Sequence, residues 1–354
     1  MQAAFVPLGA FLLGVVFGVV AQRSHFCTMG CLSDAFLFGS LRRLRVWALA
    51  LAVALLGSQA LDLAGFVDLG ASLYRAPTLP WLGILAGGVL FGFGMVLAGG
   101  CIGRNLVRLG TGSLKALVTL LVLAVTAHAT LAGVLAPLPS ALHAVGTVDL
   151  AGDIGLHHLI ARALGLPPGP LGFVLTVVAV VAIVVFVLRD PVLRRSPTDL
   201  ATGVALGALI PAGWLLTAGA GQPQSLTFVV PAADGLSALM DGGSMSFGPA
   251  LVVGVVLGAA LAAAGRGQLR LETFVGRDDM VRHLVGAALM GLGGVLALGC
   301  TVGQGLTGVA TLSLGSAGAL AAIVGGGWWG LRYLETGLLL SIVPWSNSRP
   351  TAPP

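Results

Sequence analysis

The segment Gly92–Ser113 reads GFGMVLAGGCIGRNLVRLGTGS, and a second version of it lies near the other end of the chain. That copy, Gly291–Ser316, reads GLGGVLALGCTVGQGLTGVATLSLGS. In both, a glycine-striped apolar run ends in Gly-Cys, a glycine-containing break follows, and a short helical stretch leads to Gly-Ser. Inside a bilayer, a broken backbone is tolerated only where it is buried in protein or lines a cavity. The two copies therefore predict a buried site between two related halves of a membrane protein.

The composition is that of a membrane protein. Charged residues make up 9% of the 354 residues, hydrophobic residues make up 57%, and the mean hydropathy is +1.01. Soluble domains contain about 25% charged residues, which excludes a soluble fold here. The excess of 18 Lys and Arg over 13 Asp and Glu fits the positive-inside bias rather than nucleic-acid binding. We therefore predict an all-α polytopic membrane protein formed by one integral membrane domain, residues 1–354.

Apolar segments long enough to cross the hydrocarbon core predict about nine transmembrane helices. They occupy residues 1–22, 46–61, 81–101, 116–136, 171–188, 200–219, 247–264, 283–300 and 317–345, the last of which holds one or two helices. Residues 21–45 are too polar for an ordinary span, and we interpret them as a re-entrant segment with Cys27 near its tip. Residues 219–246 are predicted to form a polar loop, and residues 346–354 a disordered tail.

The connection formed by residues 137–170 holds five prolines and several polar side chains. It is predicted to be an external loop that carries a helix lying on the surface. The pair His157–His158, together with Asp153, has two interpretations. These side chains could bind a metal, or they could form a solvated histidine pair on the surface, which is the commoner situation.

The charges that flank the spans predict their orientation. Acidic residues, Asp62 and Asp68, mark the outside, and the N-terminus is expected in the periplasm. Arginine-bearing segments mark the cytoplasmic side, and they lie at residues 42–45, 104–108, 189–195 and 266–282.

The same orientation makes the two Gly-Cys segments opposite in direction. The span before Cys101 follows an acidic loop and enters from outside, whereas the span before Cys300 follows a basic loop and enters from inside. Residues 1–170 and 171–345 are thus predicted to be the two halves of an inverted-repeat helical bundle. Short re-entrant helices carry the Gly-Cys breaks, and the site lies between the halves near the bilayer midplane.

Cysteine is scarce, and three of the four residues stand at polar or glycine-broken points: Cys27, Cys101 and Cys300. Cys31, one helical turn after Cys27, is expected to be an ordinary core residue. The cysteine spacing is not that of a tetrahedral metal site, so neither a metal nor a cofactor is predicted.

Helices that open after each break point their positive N-terminal ends toward it, which suits an anion. Few fixed cations lie close to the breaks in sequence, so binding is expected to be weak and reversible. A thiol is a weak donor and a soft acceptor, which favours an anion that carries sulfur. The candidate pathway residues are Cys27, Cys101, Cys300, Gly100, Gly299, Gly103, Gly303 and Gln304.

Three motifs, QRSHFCTMG, LAGGCIG and LALGCTVGQGLTGVATLSLGS, resemble the cysteine motifs of the YeeE/YedE family of sulfur-transport membrane proteins. The resemblance covers nearly the whole chain. It implies a transporter or channel, not an enzyme, that takes up thiosulfate or a related sulfur anion across a bacterial inner membrane. It also implies that Cys27, Cys101 and Cys300 are the pathway thiols, with Cys101 the most important. The anion's terminal sulfur would pass between them through S–H···S contacts without covalent turnover.

The sequence departs from the family pattern in two places, and alternatives stay open. The second motif reads Cys-Ile-Gly where the third reads Cys-Thr-Val-Gly, one residue longer, and Cys31 is extra. A selenium anion is a variant substrate. A membrane thiol–disulfide relay could use the pairs Cys27/Cys31 or Cys101/Cys300. A third possibility is a subunit that docks a soluble, TusA-like sulfur-carrier protein at its arginine-rich cytoplasmic face.

Overall fold

A computed structural model describes residues 2–150, 152–165, 167–219, 222–242 and 245–337. The helices of the first part are α1 (Gln2–Ser24), α2 (Thr28–Leu37), α3 (Arg42–Leu63), α4 (Trp81–Leu97), α5 (Ile102–Gly110), α6 (Leu114–Ala132), α7 (Pro137–Gly146) and α8 (Leu156–Leu164). Those of the second part are α9 (Pro168–Leu188), α10 (Pro191–Arg194), α11 (Pro197–Leu216), α12 (Val229–Asp241), α13 (Phe247–Ala264), α14 (Arg277–Leu296) and α15 (Leu314–Thr336).

A few short elements complete the chain. A π-helix, Gly303–Gly308, lies between α14 and α15, and two 3₁₀ turns, Leu69–Ala71 and Leu73–Arg75, follow α3. Strands β1 (Thr78–Pro80) and β2 (Thr147–Asp149) pair antiparallel and join the segments that precede α4 and follow α7.

Nine helical segments of the described residues are long and apolar enough to cross a membrane. This confirms the predicted all-α polytopic membrane protein with about nine spans. Helix α9 is the least enclosed by protein, and its exposed side chains include Val174, Val178 and Val181. Valines exposed along a spanning helix can contact lipid tails favourably, because the bilayer core is also apolar.

The spanning helices pack in four main groups. Helix α1 lies against α13, and α3 lies against α11. Helix α4 packs between α14 and α15, while α6 packs against α14. One continuous core joins these groups, and its largest fully buried side chains include Trp214, Phe91 and Phe228. The two helices that lead to the Gly-Cys breaks, α4 and α14, are therefore neighbours at the centre.

Glycines allow these helix backbones to approach closely. A Cβ atom added at Gly14 of α1 would lie less than 3.0 Å from the carbonyl oxygen of Leu251 in α13. The reverse holds at Gly254 of α13, where a Cβ would meet the carbonyl oxygen of Phe11. The abundance of glycine in the sequence is thus explained by small-residue packing between membrane helices.

Two sequence predictions about the connections were wrong. The segment 219–246 is not simply a polar loop, because α12 occupies its centre and Phe228 and Val229 are buried in the core. The connection 137–170 contains two helices, α7 and α8, rather than one. The predicted tail, residues 346–354, and the end of the last predicted span lie outside the described residues.

Candidate functional site

The two Gly-Cys segments have the same backbone conformation. After α4 ends at Leu97, Gly99 and Gly100 take φ angles of 66° and 158°. After α14 ends at Leu296, Leu298 and Gly299 take φ angles of 57° and 157°. A positive φ is easy for glycine and strained for leucine, so Leu298 is held in this shape by its surroundings. Both cysteines, Cys101 and Cys300, therefore stand at sharp interruptions between two helices.

The extra residue of the second copy appears in the structure as a π-helix. Residues after Cys101 continue directly into the regular helix α5, whereas those after Cys300 form the π-helix Gly303–Gly308. Within it, the backbone N–H of Thr307 bonds to the carbonyl of Val302, five residues earlier, at 2.9 Å. A one-residue insertion in a helix is commonly absorbed in this way, often at functional sites. The longer Cys-Thr-Val-Gly motif thus keeps the overall shape of the break.

In each copy, a side-chain amide from the helix that follows the break donates a hydrogen bond to a backbone carbonyl of the break. Asn105 Nδ2 donates to the carbonyl of Gly100 at 3.0 Å, and Gln304 Nε2 donates to the carbonyl of Ala297 at 2.6 Å. A serine caps the next helix in each copy: Ser113 caps α6 and Ser313 caps α15, each accepting from a backbone N–H at 3.3 Å. Ser113 belongs to the Gly-Ser pair of the first copy, whereas in the second copy the serine of the pair, Ser316, donates the N–H that Ser313 accepts. Capping satisfies helix-end donors that would otherwise be unpaired.

The Cys27 and Cys101 thiols lie next to each other, close enough for each to affect the titration of the other. Cys27 is the N-cap of α2, where its Sγ accepts from the backbone N–H of Gly30 at 3.4 Å. The hydroxyl of Thr301 also lies near Cys101, although it makes no hydrogen bond within the described residues, and the Cys101 sulfur faces the backbone N–H groups of Thr28 and Arg104. All four cysteines of the chain are buried and free. The first two sequence-predicted thiols are thus brought together in a pocket of backbone donors.

Cys300 lies in a similar setting. Its Sγ accepts from the backbone N–H of Gly303 at 3.4 Å and also faces the N–H groups of Val302 and Phe228. The next residue, Thr301, is fully buried and borders Cys101. A buried hydroxyl group of the Cys300 segment therefore lies near Cys101.

Two hydroxyl side chains that the sequence analysis missed lie beside Cys300. A Cβ placed on Gly303 would lie 2.5 Å from Thr227 Oγ1 and 3.4 Å from the Tyr74 hydroxyl, so glycine leaves room for both. The Tyr74 and Thr227 hydroxyls lie near each other and line a cavity of about 310 Å³, together with Gln224. No sequence signal marked them, because both belong to loops far from the cysteine motifs.

A larger cavity of about 790 Å³ opens on the other side of the site. We call it the Arg104 cavity, and its lining residues are Gln22, His25, Gly99, Arg104, Arg108, Thr111, Gln268, Arg270, Leu271 and Glu272. Arg104 Cγ and Arg108 Nη1 lie 3.1 and 3.7 Å from Cβ positions built on Gly100 and Gly99. The expectation that few fixed cations lie near the breaks is therefore wrong for the Cys101 copy. In the Cys300 copy, Gln304 takes the corresponding place, 3.2 Å from a Cβ on Gly299.

The charges of the Arg104 cavity are only partly neutralised. Arg108 Nη2 donates to both carboxylate oxygens of Glu272, at 2.7 and 2.9 Å. Burial tends to raise the pKa of Glu272, but the hydrogen bonds from Arg108 and Ser113 and the positive charges of Arg108 and Lys115 together outweigh it and hold the pKa below its usual value. Glu272 is therefore an anion that offsets Arg108. Nothing comparable offsets Arg104, whose buried Nη1 has no hydrogen-bond partner in the described part of the chain.

The remaining predicted residues have less specific surroundings. Gly103 is buried in α5, where an added Cβ would make ordinary van der Waals contact with Phe228 at 3.5 Å. Cys31 is buried in the core next to Cys27, and both line a cavity of about 310 Å³ that also contains Arg43. The relay pairs considered from sequence, Cys27/Cys31 and Cys101/Cys300, differ from the pair whose thiols lie next to each other, Cys27 and Cys101.

The histidine pair is not a solvated surface pair. His157 is buried, and its Nε2 lies 3.1 Å from Nη2 of Arg75, which also pairs with Asp62 and Asp153 at 3.1 and 2.6 Å. Burial, and then the Arg75 charge, lower the pKa of His157 to about 4. No group of metal-ligating side chains was found among the described residues. An arginine at the ring nitrogen would repel a metal ion. The contacts of Arg75 with His157, Asp62 and Asp153 are therefore better explained as ion pairs and hydrogen bonds that hold two loops together.

The chain is similar to known sulfur-transport proteins. A family model described as sulphur transport matches residues 23–329. The chain is 28% identical to the thiosulfate transporter TsuA of Escherichia coli K12 over 318 residues, which cover 84% of this chain and 86% of that protein. It is also 28% identical to the thiosulfate transporter TsuA of Spirochaeta thermophila over 311 residues, which cover 84% of this chain and 89% of that protein. The probable transporter YedE of Salmonella typhimurium is 35% identical over 94 residues, 26% of this chain and 21% of that protein.

Nine apolar helices among the described residues, together with the similarity to named transporters, indicate a multi-pass membrane protein of a transport class. Because the family match extends over most of the chain, the protein belongs to the sulphur transport, or YeeE/YedE, family.

Proposed function

We propose that this protein takes up thiosulfate or a closely related sulfur anion across a bacterial inner membrane. The observation that supports this most is the proximity of the buried Cys27 and Cys101 thiols, with Thr301 of the Cys300 segment lying near Cys101. Thiols and backbone N–H groups offer soft and weakly positive contacts, which suit a sulfur-bearing anion that must bind and leave. The similarity to proteins named thiosulfate transporters points to the same substrate.

In this proposal the anion passes from the Tyr74 and Thr227 hydroxyls to Cys300, then to Cys101 and Cys27. Its terminal sulfur makes S–H···S contacts with each thiol in turn, and no covalent bond forms. The test is uptake of radiolabelled thiosulfate into proteoliposomes. Accumulation above that of empty vesicles, reduced by excess unlabelled thiosulfate, is expected. Uptake no faster than that of empty vesicles would disprove the proposed function.

The architecture proposed for this pathway is an inverted repeat with re-entrant helices at the breaks. Its support is the pattern of contacts: α1 pairs with α13 as α11 pairs with α3, and α4 pairs with α15 as α14 pairs with α6. If α1, α3, α4 and α6 are exchanged with α11, α13, α14 and α15, respectively, each pairing in one half becomes the corresponding pairing in the other. The matching backbone angles at Gly99 and Leu298 agree with it.

The proposed orientation places the N-terminus in the periplasm and the segments 190–196 and 266–282 in the cytoplasm, following their arginines. Single cysteines introduced there, in a variant whose four native cysteines are replaced, should react with a membrane-impermeant maleimide only after the cells are opened. A cysteine at the exposed position Val134 serves as the external control. Labelling of residues 190–196 in intact cells would show that the orientation is wrong.

Passage by contacts can be separated from a thiol–disulfide relay. A relay forms and breaks a covalent sulfur bond in every cycle, and the adjacent pair Cys27 and Cys101 is the one that could do so. We expect uptake to be unaffected by mild dithiothreitol, and mass spectrometry after turnover to find Cys27, Cys101 and Cys300 unmodified. A persulfide on Cys101 that forms and disappears at the rate of uptake would favour the relay.

A soluble, TusA-like sulfur-carrier protein is the partner proposed at the cytoplasmic face. The exposed arginines Arg194, Arg195 and Arg277 would attract an acidic surface of such a protein. Binding should then weaken as salt is raised, and weaken further when these three residues are changed to glutamine. Affinity that depends on neither salt nor these residues would exclude this docking surface.

A further inference from the structure

We infer that Arg104 forms a binding site for a tetrahedral oxyanion in the Arg104 cavity, next to the Cys27–Cys101 pair. This rests on the proposed function in one respect, since it assigns the site to the oxygen end of the transported anion. Its geometry is independent of that function, because it follows from the cavity and its charges alone.

The position of Arg104 links the cavity to the thiols. Its backbone N–H faces the sulfur of Cys101, while its side chain lies against the Gly99–Gly100 turn and reaches into the cavity. An anion there could place its oxygens on the guanidinium while its sulfur remains near Cys101. Guanidinium groups bind such oxygens through paired N–H donors with a fixed geometry.

The charge balance of the cavity favours an anion. The cations at its lining are Arg104, Arg108 and Arg270, and Glu272 is the carboxylate among the lining residues. Glu272 is bound by Arg108, so it does not offset Arg104. Leaving a buried charged donor without a partner is costly, and a bound anion would remove this cost.

The two copies differ at this point. Gln304 stands where Arg104 stands in the other copy, and its amide is used to hold the carbonyl of Ala297. The Cys300 side of the site is therefore bordered by neutral hydroxyl and amide groups, whereas the Cys101 side is bordered by a free cation. An anion that passes Cys300 through weak contacts would thus meet its first strong oxygen ligand at Arg104.

Equilibrium binding of radiolabelled sulfate to the purified full-length protein tests the site. Sulfate is a tetrahedral oxyanion without the terminal sulfur, so it reports on the oxygen site alone. The Arg104→Gln variant, which copies the residue of the other half, should bind sulfate about tenfold more weakly. Arg282→Gln removes an exposed arginine outside the cavity and should leave the affinity unchanged. Equal affinity of the Arg104→Gln variant and the unmodified protein would overturn the proposal.

A second variant makes the outcome independent of damage to the fold. Glu272→Gln removes the carboxylate that offsets Arg108, so sulfate should bind several-fold more tightly, which general destabilisation would not cause. Arg104→Lys keeps the positive charge but lacks the paired N–H donors of the guanidinium, so this variant should bind sulfate with intermediate affinity. If Glu272→Gln weakens binding, the cavity does not hold the anion as proposed.

A lipid phosphate could supply the same chemistry, and the membrane composition distinguishes the two sources. Sulfate should bind equally well in phosphatidylcholine and phosphatidylglycerol nanodiscs if the site serves a free anion. Loss of binding only with phosphatidylglycerol would assign the cavity to a lipid head group and overturn the proposal. Thiosulfate uptake measured in parallel separates the two inferences. Sulfate binding at Arg104 without uptake would refute the proposed function alone, and uptake without this binding would refute the site alone.

Discussion

The Cys101→Ala variant should lose thiosulfate uptake almost completely while remaining folded. The Cys101 thiol lies next to Cys27 and Thr301 at the centre of the proposed pathway, and alanine leaves the passing anion without the soft contact that the thiol would make there. Each loss of about 1.4 kcal/mol at the barrier slows passage about tenfold, so a contact worth about twice that predicts a loss of about 100-fold. The measurement is the initial rate of radiolabelled uptake into proteoliposomes that contain equal amounts of each protein.

Two further variants show whether soft sulfur is what matters. Cys101→Ser keeps a hydroxyl of similar size but replaces the soft atom by a hard one, so it should recover little of the lost rate. Cys31→Ala is the matched control, because Cys31 is buried only one helical turn from Cys27. It should retain most of the uptake. Full activity in Cys101→Ser would mean that hydrogen bonding alone suffices and that the thiol pathway is wrong.

The overall class was predictable because it depends on properties that are local in the chain. The length of each apolar segment predicted the number of spans, and the Gly-Cys motifs predicted the helix interruptions at Cys101 and Cys300. The repeated motif also aligned Ser113 with Ser316, and in the structure Ser113 caps α6 while Ser316 donates its backbone N–H to the cap of α15, Ser313. These features need no knowledge of which helix lies beside which.

The details of the site depend on distant contacts, which periodicity and motifs do not encode. Thr227 and Tyr74 reach Cys300 from loops in two different parts of the chain. The sequence shows a positive charge at Arg104, three residues after Cys101. It does not show that Glu272 pairs with Arg108, which leaves the Nη1 of Arg104 without a hydrogen-bond partner among the described residues. Helix α12 was missed because its segment is rich in polar and small residues, and only its burial against the core explains it.

Replacing a single glycine by alanine in α15 should destabilise the whole protein. A Cβ at Gly326 would lie less than 3.0 Å from the backbone of Val89 in α4, including its carbonyl oxygen. Backbone atoms cannot move aside as a flexible side chain can, so α15 must separate from α4. Forcing extra atoms into a tight interface costs about 1–3 kcal/mol or more. Because α4 leads directly into the Cys101 break, uptake by any Gly326→Ala protein that still folds should fall as well.

The neighbouring glycine provides the matched control. Gly325 lies on the exposed face of the same helix, and a Cβ there would have no atom within 4 Å. Alanine is favoured over glycine inside a helix by about 0.5–1 kcal/mol, so Gly325→Ala should leave stability unchanged or raise it slightly. Thermal unfolding followed by size-exclusion chromatography in detergent compares the two variants. Since they differ only in the side of α15 that carries the methyl group, equal melting temperatures would show that close contact between α4 and α15 does not stabilise the fold.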